Sequence, residues 1–291
     1  MGLREKRIFL GTLALLVFVA ALYLYQSFSV PEVEVYGVSV VLCSGGENFE
    51  KGLTGAALEK NADLHIVRVT DPSANAQTAA LERELQNGAN AVILYRADAE
   101  NLSAWLLKNK SSAPLVLAGD ALLSGKGASH VSLGAKALSA ALVTEMEKQP
   151  LRSVTVAEDE GGERLTEFLA ALDAAGFTYD LVHAKDVSHI APGKVYASCD
   201  PAATLLLAEA ADKGAFLYGM GYDAALRNLL ESGKITALAI ASEFDAGYLA
   251  VTEAVSRIDG GRTYDAVLSA FIARSDNMYE PPISAILFPI G

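Results

Sequence analysis

The sequence predicts an α/β protein with open parallel sheets, built in two similar halves and preceded by an apolar N-terminal segment. Three observations predict it. Short apolar runs alternate with helical stretches over most of the 291 residues, the pattern of βαβ units and a parallel sheet. The pattern restarts near Val131, as a second half would. Before it all, Ile8 to Tyr25 is an uncharged apolar run of about 18 residues, preceded by Arg4, Lys6 and Arg7, and a bilayer core needs about 17–25.

The apolar run is longer than the usual core of a secretory signal, and its best cleavage candidate, Ser27-Phe28-Ser29, is poor. Tyr23 and Tyr25 suit an interfacial belt, and the basic start stays on the cytoplasmic side. The expectation is an uncleaved anchor over 8–28, with 1–7 cytoplasmic and 29–35 a linker. Everything beyond then lies on the outer side of the membrane.

From Val38 to Leu42 the chain is continuously apolar, as a strand covered on both faces must be. A helix over 49–59 and a strand over 64–69 follow. Asp71-Pro72-Ser73 opens a helix over 74–86, with Ser73 as N-cap and Asn87-Gly88 as its end. Next come a strand at 91–94, a helix at 102–108 and a strand at 114–118. The second half reads as helix 135–147, strand 153–157, helix 163–174, strands 179–183 and 195–197, helix 202–213, strand 215–219, helix 224–230, strand 236–240 and helix 244–257. Strand-like segments at 267–272 and 283–288 close the chain.

The formal net charge is −12, with no basic cluster beyond the N-terminus, which argues against nucleic acid as a partner. Two cysteines are too few for a disulfide scaffold. His65, His130, His183 and His189 show no metal-binding spacing. No Ser-His-Asp ordering and no phosphate loop in its required context is present. No catalytic residue, cofactor or metal is therefore expected. Trp105, in helical register with Leu102 and Leu106, reads as packing. Gly45-Gly46 and Gly161-Gly162 read as turns.

Several ordered stretches resemble one family. Asp71-Pro72-Ser73-Ala74-Asn75-Ala76-Gln77 and then Leu85 to Leu94 are similar to the second helix and third strand of the type I periplasmic sugar-binding proteins, the ribose- and galactose-binding group. Pro114 to Asp120 looks like the strand that ends in a ligand-binding Asp. Arg164 with Phe168, the pair Tyr222-Asp223, and Gly233-Lys234 to Gly247 match later pieces in order. The resemblance implies two Rossmann-like lobes joined by crossing strands and closing like a hinge. The N-terminal lobe would be 36–131 plus 242–263, and the C-terminal lobe 132–241 plus 264–291. It implies a sugar-like ligand held by Phe49, Asp120, Arg164, Tyr222 and Asp223, since carboxylates and guanidinium forks satisfy hydroxyls and aromatic faces cover ring C–H groups.

This chain departs from that pattern. Ala121 stands where Arg is usual after the binding Asp, Cys199 where Asn precedes Asp200, Ala241 where a crossover Gln is expected, and Glu50 where a second aromatic would flank Phe49. The loops after Ala157 and around Ser132 are shorter. Each lost hydrogen-bonding group costs about 1–3 kcal/mol, so the ligand is expected to be smaller or less hydroxylated than the usual sugars, or the sugar site to be lost. The acids Glu47, Glu50, Asp98, Asp120, Glu158, Asp159, Glu160, Asp200 and Asp223 would favour a cationic ligand if they converge. Otherwise they are helix-start or solvated residues.

By the resemblance, Cys43 and Cys199 end strands of opposite lobes and face the cleft. A disulfide would need Cα atoms within about 7 Å. Two semi-buried free thiols are the preferred reading. The partners implied are a permease–ATPase importer or, alternatively, a membrane sensor such as a histidine kinase. A repressor role is excluded, because a membrane segment occupies the place of a helix-turn-helix.

Overall fold

The structure is a computed structural model. It describes residues 2–28, 35–43, 46–71, 73–96, 99–109, 111, 113–119, 127–158 and 162–289. The chain divides into two units, 1–35 and 36–291.

In the first unit, α1 (Leu3–Phe28) is one continuous helix of 26 residues. Its described side chains, 11–23, are all exposed, including Leu15, Leu16, Val17 and Phe18. Among the described residues no helix is long and apolar enough to cross a membrane. The side chains at both ends of the expected span, 8–10 and 24–28, lie outside those described.

The second unit holds two six-stranded sheets. The first half runs β1 (Tyr36–Leu42), α2 (Glu47–Lys60), β2 (Ala62–Arg68), α3 (Ala74–Gln86), β3 (Ala91–Tyr95), α4 (Ala99–Lys108), β4 (Leu115–Gly119) and β5 (Ala128–Ser132). The second runs α5 (Ala135–Met146), β6 (Ser153–Ala157), α6 (Glu163–Ala174), β7 (Thr178–Val182), β8 (Val195–Ser198), α7 (Pro201–Ala210), β9 (Phe216–Met220), α8 (Ala224–Glu231) and β10 (Ala237–Ile240). The tail is α9 (Glu243–Ile258), β11 (Asp265–Val267), β12 (Phe271–Ala273) and α10 (Ile283–Leu287).

Strand order in the first sheet is β2-β1-β3-β4-β5-β11, all parallel. In the second it is β7-β6-β8-β9-β10-β12, parallel except for the last pair. Both halves thus repeat the 2-1-3-4-5 order of a doubly wound sheet, whose ligands sit at the carboxyl ends of the strands. The chain passes between lobes three times: from β5 to α5, from β10 to α9, and from β11 to β12. Helix α9 follows a strand of the second sheet but packs on α2 and on β1, β3, β4 and β5.

Successive strand residues feed opposite faces, as the pleat requires. Val40, Leu42, Ile93 and Tyr95 join the core shared by the lobes, while Val41, Val92 and Leu94 pack under α3 and α4. A third cluster covers the outer face of the second sheet. Every residue of these cores lies in 36–291, so this unit carries its own core. Ser73 caps α3 as expected, its hydroxyl accepting from Ala76 N–H, and Trp105 packs half-buried with its indole N–H on Glu82.

Three expectations are corrected. The polar stretch 128–132 is a strand, β5, because its burial is compensated: Ser129 donates to Glu253 and His130 bonds Asp265. The segment 267–272 is not one strand. Asp265–Val267 pairs with β5 in the first sheet and Phe271–Ala273 with β10 in the second, so Ser132 and Asp265–Val267 fall with the N-terminal lobe. The segment 283–288 is a helix: Ile283, Ile286 and Leu287 are its buried positions, a helical spacing that a short apolar run does not distinguish from a strand.

Candidate functional site

The carboxyl ends of both sheets face a cleft of about 690 Å³. From the first lobe it is lined by the turn after β1 and the first turn of α2 (Gly46 to Lys51), by Arg68 at the end of β2, and by Arg96 just after β3. From the second come Pro201, Tyr222, Asp223 and Arg227, and from the crossing into α9 comes Glu243. Phe288 and Pro289 close one side.

Charges among the described residues of this lining balance. Lys51 pairs with Glu47 at 3.2 Å, Arg68 with Glu50 at 2.5 Å and Arg96 with Glu243 at 2.7 Å. Arg227 donates to the carbonyls of Leu287 (2.5 Å) and Asp223 (3.3 Å) and lies 5.2 Å from the Phe288 ring centroid. The acids Glu47 and Glu50 therefore do not make an acidic site, because each faces a cation brought by the fold. Asp98, Asp120, Asp159 and Glu160 lie outside the described residues.

Arg96 is held most firmly. Its backbone is left-handed, φ 53°, a conformation a long side chain adopts only when its surroundings impose it. Gly119 makes room: a Cβ there would come within 3.2 Å of the Arg96 amide nitrogen. The guanidinium lies 5.2 Å from the Tyr95 ring centroid and meets Glu243 with both side chains largely shielded from water.

Tyr222, from the second lobe, is buried, and its hydroxyl faces the Asn48 side chain and the backbone N–H of Glu243. Burial, then the Glu243 charge, pushes the phenol well above its ordinary range. The next residue, Asp223, lines the cleft while its Oδ1 accepts from Leu226 N–H at 2.8 Å, capping α8. Asp200 caps α7 in the same way, through Ala203 N–H at 2.9 Å.

The other expected site residues are placed differently. Phe49 is fully buried and stacks on Tyr95, centroids 3.9 Å apart and planes at 16°, so it props the cleft wall from behind. Arg164 and Cys199 form a corner of the second lobe beside Glu158. Arg164 donates to the Cys199 carbonyl at 3.4 Å, and Glu158 accepts from the Ser198 hydroxyl at 2.9 Å and from Cys199 N–H. Burial raises the Glu158 pKa against those bonds, and burial with the Glu158 charge drives the Cys199 thiol far up. A Cβ on Gly221, just after β9, would lie 3.0 Å from Pro201 and 3.6 Å from the Arg164 guanidinium. Cys43 packs half-buried with the cluster under α3 and α4, its thiol pushed up to about 11 by burial. Cys199 belongs to the core between the lobes, and both cysteines are free thiols.

Of the expected ligand-binding residues that are described, the cleft lining includes Tyr222 and Asp223, and Asp120 lies outside the described residues. The sequence reading missed Arg68, Arg96, Arg227 and Glu243. Arg96 carried the plainest signal, a cation directly after a wholly apolar strand and on the ligand-binding end of the sheet. Among the described residues no group of His, Cys, Asp and Glu is arranged to hold a metal ion.

No protein-family profile and no curated protein matches the sequence. Solved structures match the fold. An ABC transporter solute-binding protein from Agrobacterium vitis, bound to α-D-tagatopyranose, superposes with a TM-score of 0.73 at 14% identity, over 87% of this chain and 99% of that one. A carbohydrate transporter protein from Acidothermus cellulolyticus, in complex with myo-inositol, gives 0.70 at 14% over 84% and 96%. GanP, a glucose-galactose binding protein from Geobacillus stearothermophilus, gives 0.71 at 13% over 84% and 99%. The chain has the two-lobed type I periplasmic binding fold these proteins share.

Proposed function

We propose that this chain is an extracytoplasmic solute-binding protein that captures a sugar or a similar small polar molecule between its lobes and delivers it to an ATP-driven importer. One observation carries the reading: a polar cleft of about 690 Å³ opens at the carboxyl ends of both sheets, lined from both lobes. The ligands of the fold's solved relatives, tagatose, arabinose, fucose and myo-inositol, support it. Tyr222, Asp223 and Asp120, the last outside the described residues, are the proposed ligand contacts, and Arg96 with Glu243 supplies donors and acceptors beside the first two. Phe49, Arg164 and Cys199 act by shaping the walls. No catalysis is part of this function.

The exposed apolar side chains of α1 within 11–23 favour a membrane-anchored form, because apolar side chains exposed around a helix need an apolar medium. That anchor supports a second reading, in which ligand occupancy is passed to a membrane sensor such as a histidine kinase. Calorimetric titration of the protein with these four compounds tests the first reading. Binding that is lost in Tyr222→Ala supports it. Absence of heat with all four, together with co-purification of a sensor kinase, favours the second. Resistance to alkaline extraction from membranes checks the anchor.

A further inference from the structure

A second cavity, of about 860 Å³, adjoins the polar cleft at Phe288 and Pro289 and lies between the crossing into α9, the crossing from β11 to β12, and α10. Its walls include Phe244, Leu268, Phe271, Ile286 and Phe288, and among the described residues Asp245 is the one charged residue in its lining. The Phe288 ring is already engaged, stacked on Tyr279 at 5.5 Å and 5.2 Å from the Arg227 guanidinium.

The chemistry differs from that of the cleft. There, among the described residues, four carboxylates stand with four cations. Here, among the described residues, the exposed carboxylate of Asp245 is the one charge in a lining of aromatic, aliphatic and serine side chains. The volume falls within the range of small-molecule sites, about 300–1,000 Å³. Apolar walls reward an apolar body, and an ammonium satisfies both the Asp245 carboxylate and the faces of the phenylalanine rings. A carboxylate-bearing ligand would meet Asp245 as a like charge, and a neutral ligand would forgo the ion pair.

We propose that this cavity binds a small apolar amine, with its ammonium on Asp245 and its body against Phe244 and Phe271. A ligand there touches two of the three crossing segments, the elements that join the lobes. The cavity shares Phe288 and Pro289 with the cleft, but the amine is inferred from the chemistry of this cavity alone.

The unit 36–291 carries its own core and serves for the test. Titration with tryptamine, its neutral isostere tryptophol, and indole-3-propionate reads the site directly by calorimetry. The expected result is saturable binding of tryptamine, at least tenfold weaker binding of tryptophol and none of the acid. Asp245→Asn should weaken tryptamine binding at least tenfold and remove its advantage over tryptophol. Ser269→Trp, at an exposed lining position, should fill the cavity and abolish binding while the melting temperature of the free protein stays within a few degrees. Absence of tryptamine binding at millimolar concentration overturns the proposal, as does equal binding of tryptophol by the wild type. Binding that survives Ser269→Trp places the amine elsewhere and also overturns it.

Discussion

In the first lobe, polar side chains are buried along the strands themselves. Ser39 of β1 donates to the buried Glu84 of α3 at 3.0 Å, a carboxylate that the exposed His65 of β2 also meets at 2.7 Å, and Ser129 of β5 donates to Glu253 of α9 at 2.7 Å. In the second lobe, Ser198 is the buried polar side chain among the described strand residues, and it lies at the carboxyl end of β8, bound to Glu158. Polar groups in mid-strand fix which helix packs where, because a misplaced helix would leave them unpaired in a dry interior. Polar groups at strand ends stand beside the ligand cleft. The first lobe therefore invests buried polarity in its architecture and the second invests it next to the site.

The comparison breaks most severely at the helix that returns to the first lobe. A Cβ on Gly247 would overlap the carbonyl oxygen of Phe49, and one on Gly52 would overlap that of Phe244. Helices α2 and α9 approach so closely that only hydrogen fits between them. Gly247→Ala should cost stability at the upper end of about 1–3 kcal/mol or beyond, read by urea denaturation. An unchanged midpoint would mean that the two helices are not in this contact.

A smaller effect is expected at Glu84. Burial alone would raise its pKa, but bonds from His65, Ser39 and Arg83 outweigh burial and hold the carboxyl below its ordinary 4.5. A depressed acid stabilises the folded state fully above 4.5, and that stability is lost as pH falls through the lower folded value. Glu84→Ala should cost about 1–3 kcal/mol at pH 7 by leaving Ser39 unpaired. It should also flatten the stability profile below pH 4.5. A variant whose acid limb matches the wild type would show that the network carries no linked proton.

Next in size is the helix cap at Asp223. Asp223→Ala should cost about 1 kcal/mol through loss of the cap, whereas Asp223→Asn, which keeps an accepting oxygen, should cost far less. If ligand affinity falls equally in both, the carboxylate charge itself contacts the ligand. If only the alanine variant suffers, Asp223 acts by holding α8. The smallest change is Lys51→Ala, which breaks an exposed ion pair and should alter stability by about 0–1 kcal/mol, less still in high salt.

Much of the architecture was legible because its causes are local. Continuous apolar runs such as 91–95 mark strands covered on both faces, and Ser73 and Asn87 bracket α3 by their own side-chain and turn chemistry. Strand β5 was not legible, since Ala-Ser-His-Val-Ser becomes buriable only when Glu253 and Asp265 arrive from more than a hundred residues away. The helix at 283–287 was misread because six apolar-rich residues fit either period. At the site, the sequence pointed to Tyr222 and Asp223 through a motif, but it did not show that Glu47 pairs with Lys51 and Glu50 with Arg68.

By itself, then, the sequence determined the class of fold, the doubled order of strands and helices, and the end of each sheet where a ligand would sit. These follow from side-chain periodicity and from the chirality of βαβ connections, which act over a few tens of residues. Only the tertiary structure decided the character of the two cavities. Arg96 and Glu243 are 147 positions apart, and they cancel each other's charge because the second crossing brings α9 back onto the first lobe. Charge pairing across such a distance depends on topology, and no local pattern encodes it.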